Sequence, residues 1–347
     1  MQTLAVKYRP KTWDDVVEQD AIKIILQQQL DDKAIKNAYL FCGGAGTGKT
    51  TCARIFANEI NKGKGNPIEM DAASNSGVED VRNISQQARA KSIVREYKIF
   101  IIDDCHAISN TGWQAFLKLI EEPPAKSIFI FCTTDPQKIP KTILSRVQRY
   151  DFKRISQQGI VNRLISIIGQ EWNADTKKID DLVDTDAVEY IAKIADGGMR
   201  DAISLMDKCL SYSKDLTLDN VVHALGTVDY QLMMDLTDHI ITSEAKGAIK
   251  IVEQIHMDGK DIKQFVSQYV QFLLDVCKYR LGCPFEYLQI PALDDTKEWL
   301  SSFEEDDCVE VKAALEKIMQ LAVNIKWSQT PKYDLEATLM LLCEVYI

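Results

Sequence analysis

No stretch of this 347-residue chain approaches the roughly 18 consecutive apolar residues that a membrane-spanning helix requires. The first ten residues, Met1-Gln2-Thr3-Leu4-Ala5-Val6-Lys7-Tyr8-Arg9-Pro10, lack the apolar core of a secretory leader. These two absences set the expected location as the cytoplasm, with no membrane partner. There is no Cys-x-x-Cys pair either. The nine cysteines (42, 52, 105, 132, 209, 277, 283, 308 and 343) are scattered, mostly inside apolar runs. That pattern reads as reduced, buried thiols and gives no support to a zinc site. Positive charge is in deficit: 41 Lys and Arg stand against 51 Asp and Glu, a net charge of −10. Bulk charge therefore does not mark a nucleic-acid binder, and any DNA site must be a local basic surface or one shared with partner subunits. No internal repeat or low-complexity tail is visible.

What remains is a globular composition, 46% apolar and 27% charged, in a chain long enough for two or three domains. In the first half, short β-rich runs at 38–42, 68–71, 98–103, 127–133 and 149–152 alternate with helical patterns at 20–32, 49–60, 78–91, 111–121 and 141–146. Such alternation predicts an α/β domain with a parallel sheet covered on both faces. Continuously apolar runs such as Ile99-Phe100-Ile101-Ile102 fit strands buried on both sides. After about residue 153 the strand signal stops. Amphipathic helical patterns follow at 156–169, 184–196, 200–213 and 217–225, then longer ones at 229–242, 244–258, 260–281, 305–326 and 334–346. Gly226 and Asp229 mark a boundary between the two sets. The expected domains are 1–153, 154–227 and 228–347.

Residues 43–50, Gly43-Gly44-Ala45-Gly46-Thr47-Gly48-Lys49-Thr50, carry the GxxxxGK[ST] pattern, followed by Thr51. Glycines at these positions let backbone N–H groups turn inward around a β-phosphate. The lysine reaches the β- and γ-phosphates, and the Thr50 hydroxyl is a ligand for Mg²⁺. A strand before the loop and a helix after it are the context this chemistry needs, because the helix N-terminus adds its dipole. The metal needs a carboxylate as well. The apolar run 99–102 ends in Asp103 and Asp104: Asp103 is the candidate Mg²⁺ ligand, and Asp104 stands where many such ATPases have a Glu that polarises the attacking water. The next apolar run ends in Thr133-Thr134. Thr134 is the preferred residue to sense γ-phosphate, with Thr133 as the fallback.

With these residues in place, the chain resembles the clamp-loader ATPases of the AAA+ superfamily, most closely the bacterial DNA polymerase III gamma/tau subunits. The matching stretches are residues 4–10, the phosphate loop, Glu69-Met70-Asp71-Ala72-Ala73-Ser74-Asn75, Ile101 to His106, Leu117 to Pro124, Thr133 to Pro140, Ser145 to Tyr150, and Gly198-Met199-Arg200-Asp201-Ala202. They span about residues 4–210. The resemblance implies an AAA+ core, a small helical lid and an all-α C-terminal collar. It implies that Arg146 is an arginine finger acting on the γ-phosphate of a neighbouring subunit, worth about 10³–10⁵ in rate. Arg200, opening a lid helix, would read nucleotide within its own subunit, and Tyr8, Arg9, Pro10 and Val17 would line the adenine end. It further implies other loader subunits in a homo- or hetero-oligomer (a pentameric ring), a sliding clamp and primer–template DNA. Arg82 is the best phosphate-contact candidate, ahead of Lys91 and Arg95.

Three departures from the family qualify this reading. The zinc knuckle usual between the phosphate-loop helix and the next strand is replaced by residues 61–67 with no cysteine, so no zinc is expected. Asp104 replaces the usual Glu and is shorter by one methylene; misplacement near 1 Å can cost about 10² in rate. The finger motif reads Ser145-Arg146-Val147. Nothing in the chain resembles the tail of the longer family products, so the expectation is a short loader subunit, from a phage or a reduced replication system. Two rivals remain: a structural subunit that binds ATP but barely hydrolyses it, and another AAA+ DNA-remodelling machine such as a branch-migration helicase.

Overall fold

The computed structural model describes residues 2–75, 77–90, 96–172, 183–225, 230–291, 293–303 and 307–343. The five β-rich runs form one sheet: β1 (Ala38–Gly43), β2 (Ile68–Asp71), β3 (Lys98–Asp103), β4 (Ser127–Thr133) and β5 (Gln148–Phe152). Their order is β2-β3-β4-β1-β5, and every pairing is parallel. The observed strands match the expected runs to within one residue at either end.

Alternation along the strands sorts the core into two layers. Tyr39, Phe41, Ile99, Ile101, Ile128 and Ile130 pack with residues of α1 (Asp20–Asp31) and α2 (Lys49–Ile60). Leu40, Phe100, Ile102, Phe129 and Phe131 pack with α3 (Val78–Arg89) and α4 (Asn110–Glu121). Both layers are apolar, which is why β3 and β4 read as unbroken hydrophobic runs. Helix α4 shows how local signals set an element. Ser109 caps it by accepting the Gly112 N–H at 3.1 Å. Trp113, Phe116, Leu119 and Ile120 form its buried face. It stops just before Pro123-Pro124, which cannot continue a helix.

Besides a four-residue N-terminal helix, Leu4–Lys7, the remaining α-helices are α5 (Lys141–Leu144), α6 (Gln157–Trp172), α7 (Thr185–Ile194), α8 (Met199–Tyr212), α9 (Leu218–Leu225), α10 (Tyr230–Ile241), α11 (Ala245–Met257), α12 (Ile262–Arg280), α13 (Asp294–Ser301), α14 (Asp307–Asn324) and α15 (Pro331–Leu342). The all-helical second half is as expected, apart from one isolated bridge between Val183 and Leu216. Helix α13 was not foreseen. Only Thr296 and Leu300 are buried in it, so it carries one apolar turn and no repeating stripe. Helix α15 starts at Pro331, three residues before the expected start, because proline fits the first helical position. Gly226, Asp229, Lys91, Arg95 and the end of the pattern at 334–346 lie outside the described residues.

The chain forms two compact units, Met1–Asp180 with Ile191–Asp207, and Asp181–Tyr190 with Lys208–Ile347. The first contains the sheet. The second has its own core, in which Leu236, Val252, Phe265, Tyr269, Phe272, Ile318 and Leu339 are buried. Within it, the loop after α12 is tied down by a fully buried carboxylate. Asp275 accepts hydrogen bonds from the backbone N–H groups of Gln289 and Ile290 and from Gln271, and pairs with Lys278 at 2.9 Å. Removing a buried acceptor strands its donors, at about 3–5 kcal/mol for a broken buried pair. Asp275→Ala is therefore expected to lower unfolding stability by about that amount. Chemical denaturation followed by helical circular dichroism measures it, and a change below about 0.5 kcal/mol, the range of ordinary surface substitutions, would refute the clamp role.

Candidate nucleotide site

The phosphate loop leaves the C-terminal end of β1 and runs directly into α2. Three of its glycines take a positive φ, Gly43 at +151°, Gly46 at +68° and Gly48 at +100°, where a side chain would be strained. At Gly46 space is short as well: a Cβ would lie 2.9 Å from the Gly198 Cα, and the Gly46 carbonyl accepts the Met199 N–H at 3.1 Å. The start of α8, which carries Arg200, is thereby fixed against the loop. Lys49 is buried. Its Nζ donates to the Gly43 and Gly44 carbonyls at 2.9 and 2.7 Å, and Thr47 Oγ1 donates to Gly44 O at 2.9 Å. Burial pushes the Lys49 ammonium below its ordinary value, opposed by Cys132, Asp103 and Asp104.

The acids arrive from β3, two strands away. Thr50 Oγ1 donates to Asp103 Oδ2 at 2.8 Å, joining the first turn of α2 to the end of β3. A hydroxyl and a carboxylate side by side are hard oxygen donors of the kind Mg²⁺ takes, the rest of its octahedron coming from phosphate and water. Among the described residues no group of three or more His, Cys, Asp or Glu side chains is placed to hold a metal. Asp104 follows with φ +47° and donates its N–H to Asp103 Oδ1 at 3.2 Å. At the end of β4, Thr133 is fully buried and already engaged: its hydroxyl meets His106 Nδ1 at 3.2 Å and accepts the Asp135 N–H at 3.0 Å. Thr134, one residue on, is exposed.

Arginine 9 reaches the loop from the N-terminal side, with Nε 3.3 Å from Thr51 Oγ1. Burial is the main cause that lowers its pKa; the Arg54 and Arg200 charges act the same way, while Glu69 and Asp103 oppose it. Arg9, Arg200 and Asp103 thus share one electrostatic neighbourhood. Next to Tyr8, whose carbonyl accepts from Arg163 at 3.2 Å, lies an open cleft of about 510 Å³ lined by Val17, Glu18, Ser156, Gly159, Asn162 and Arg163. Pro10 is half-buried at the same end of the chain.

Arg146 is elsewhere. It forms an ion pair with Glu121 at 2.9 Å and donates to Thr142 O at 2.8 Å and Ser145 Oγ at 3.0 Å. Arg82, on the exposed side of α3, pairs with Glu79 one turn away at 2.5 Å. The structure therefore brings together Arg9, residues 43–51, Asp103, Asp104 and Arg200, while the partners of Arg146 and Arg82 lie outside that group.

Several residues at the site had no sequence signal. Glu18 and Gln19 sit consecutively in the left-handed region, at φ +55° and +58°. The Gln19 amide donates to Lys153 O at 2.7 Å and accepts the Lys153 N–H at 3.2 Å. Those partners are 134 positions away, beyond what local pattern reveals. His106 was visible only as part of a longer motif.

Comparison with known proteins agrees with the geometry. Three family models match in chain order: DNA polymerase III, delta subunit, over residues 67–156; DNA polymerase III clamp loader subunit, ATPase lid domain, over 176–215; and DNA polymerase III subunits gamma and tau domain III, over 216–306. DNA polymerase III subunit tau of Bacillus subtilis is 33% identical, covering 99% of this chain and 63% of the relative. The gamma/tau subunit of Mycobacterium tuberculosis H37Rv is 31% identical over 78% of this chain, and the Haemophilus influenzae tau/gamma subunit 35% over 68%. The chain spans 50% and 36% of those two relatives. Among solved structures, the RuvB Holliday junction branch migration motor of Thermotoga maritima superimposes with a TM-score of 0.51 at 19% identity, over 67% of this chain and 79% of that one. At that identity the likeness is one of fold. The matches in sequence carry more: over nearly its whole length the chain is similar to the gamma/tau subunits of DNA polymerase III.

Proposed function

We propose that this chain is an ATPase subunit of a sliding-clamp loader, in which ATP binding and hydrolysis drive clamp opening and loading onto primer–template DNA. The observation that carries the proposal is the meeting of Thr50 with Asp103 beside a lysine already folded over the phosphate loop. ATP binds at residues 43–51, with its adenine toward Tyr8, Arg9, Pro10 and the cleft lined by Val17. Mg²⁺ would be held by Thr50 and Asp103, and it supplies charge neutralisation at the β- and γ-phosphates. Lys49 exchanges the Gly43 and Gly44 carbonyls for phosphate oxygens. Asp104 orients the attacking water, Thr134 contacts the γ-phosphate, and Arg200 reports occupancy through the lid. Water attacks the γ-phosphorus, the bond to the β,γ-bridging oxygen breaks, and ADP leaves; the DNA is not chemically altered. Arg146 serves the site of a neighbouring subunit; its own partners are Glu121, Thr142 and Ser145, none of them in this chain's phosphate loop. The assembly is a pentameric ring of like or mixed subunits, with Arg82 toward DNA phosphate. The proposed division is a core at 1–153, a lid at 154–227 and an oligomerising collar at 228–347.

A second reading follows from Asp104. Its carboxyl is one methylene short of the usual Glu, which favours a subunit that binds ATP and hydrolyses it slowly. Phosphate release in the presence of primed DNA and clamp separates the two. Clamp-loader activity predicts steady turnover that Lys49→Ala abolishes, and Asp104→Glu is expected to raise that turnover by up to about 10². Turnover absent from the parent chain and unaffected by either substitution leaves only the structural reading.

Acidity of Lys49 gives a further expectation. Its pKa is lowered in the free protein, and adjacent phosphates raise it again, so binding takes up a proton above the lowered value. ATP affinity should fall as pH rises through that value. Calorimetric titration in buffers of different ionisation enthalpy measures the uptake; binding with no proton uptake and no loss of affinity up to the ordinary lysine value of 10.5 would contradict it.

A further inference from the structure

Helix α4 breaks a local rule at its end. Its final residue is Glu121, followed by Glu122, where the helix dipole favours cations. The two prolines that follow stop the helix in any case, so neither acid is needed as a terminator. Glu121 is instead committed to Arg146, 25 residues later in sequence, with Nε 2.9 Å from its carboxylate. The Nη1 group of the same guanidinium is held by Thr142 O and Ser145 Oγ. No hydrogen bond from Nη2 is made among the described residues. The pair is about two-fifths exposed on both sides, and such pairs contribute little to stability. What the arrangement does achieve is to remove freedom from a long, rotamer-rich side chain while leaving one end of its fork available.

We infer that Glu121 is a positioning residue: it holds Arg146 so that Nη2 is presented to the terminal phosphate bound by the neighbouring subunit. The inference deepens the trans role proposed for Arg146 and rests on it. Helix α4 also gives the clamp a fixed base. It begins six residues after Asp104 and extends about 18 Å, so the acids of one nucleotide site and the carboxylate holding the arginine for the next lie within one short stretch of chain, residues 103–121.

The test is a double-mutant cycle on ATP turnover in the assembled loader with clamp and primed DNA. Glu121→Gln preserves shape and removes the charge. It is expected to lower kcat by about 10–100-fold, as small misplacements of a catalytic group do, with KM for ATP and thermal stability unchanged. In an Arg146→Ala background the same substitution should have no further effect. If Arg146→Ala lowers turnover but Glu121→Gln does not, or if Glu121→Gln raises it, the positioning inference is wrong while the finger reading stands. If the Glu121→Gln loss persists in full without Arg146, Glu121 acts on something else and the inference is again overturned. If Arg146→Ala itself leaves turnover unchanged, the trans role fails and takes the inference with it.

Discussion

The contact between Thr50 and Asp103 is the constraint on which the arrangement of the first unit depends. It joins the helix that follows β1 to the end of β3, although β4 lies between those strands in the sheet. Meeting there requires all three strands to run the same way and to end at the same level. The register supplies this: Cys42 pairs with Thr133, and Ile102 with Phe131. A parallel sheet delivers its loops to one edge, and ligands of such sheets bind outside the carboxyl ends of the strands. A one-residue slip would exchange the two apolar layers and withdraw Asp103 from Thr50 at once. Core packing and chemistry are therefore specified by the same alternation of side chains.

Around that contact, backbone strain and side-chain commitment collect at two places. At one end Glu18 and Gln19 hold left-handed conformations, tied through Gln19 to Lys153. At the other Asp104 does the same beside Asp103. Non-glycine residues in that region cost about 1 kcal/mol or more each and persist where their surroundings over-determine them. Thr133 and His106 brace the strand end between Asp104 and Thr134. The loop lysine is held in advance by two carbonyls, so nucleotide binding exchanges partners and does not have to order a free side chain.

Most of the sheet was legible in the sequence because strands buried on both faces, such as β3 and β4, appear as unbroken apolar runs, and β2, β3 and β4 sit at their expected positions. The phosphate loop was legible because its glycines and lysine answer to local geometry. The family likeness, now supported by relatives that share about a third of their residues with this chain, extended that reading to the lid and the second helical unit. What stayed hidden depends on distant partners or weak periodicity. The roles of Gln19 and Glu121 come from contacts made across the fold. Asp275 reads as an ordinary polar helix residue until the chain after α12 folds back onto it. Helix α13 shows one apolar turn where a stripe would have announced it.

The central claim is that Thr50 and Asp103 form the metal-assisted phosphate site of this chain. The most direct measurement is ATP affinity with Mg²⁺ and with the metal chelated, for the parent protein and for Asp103→Asn. The account predicts that Mg²⁺ tightens binding to the parent by about tenfold or more, or about 1.4 kcal/mol, and that Asp103→Asn loses this gain while keeping its metal-free affinity. An equal Mg²⁺ dependence in the two proteins would contradict it.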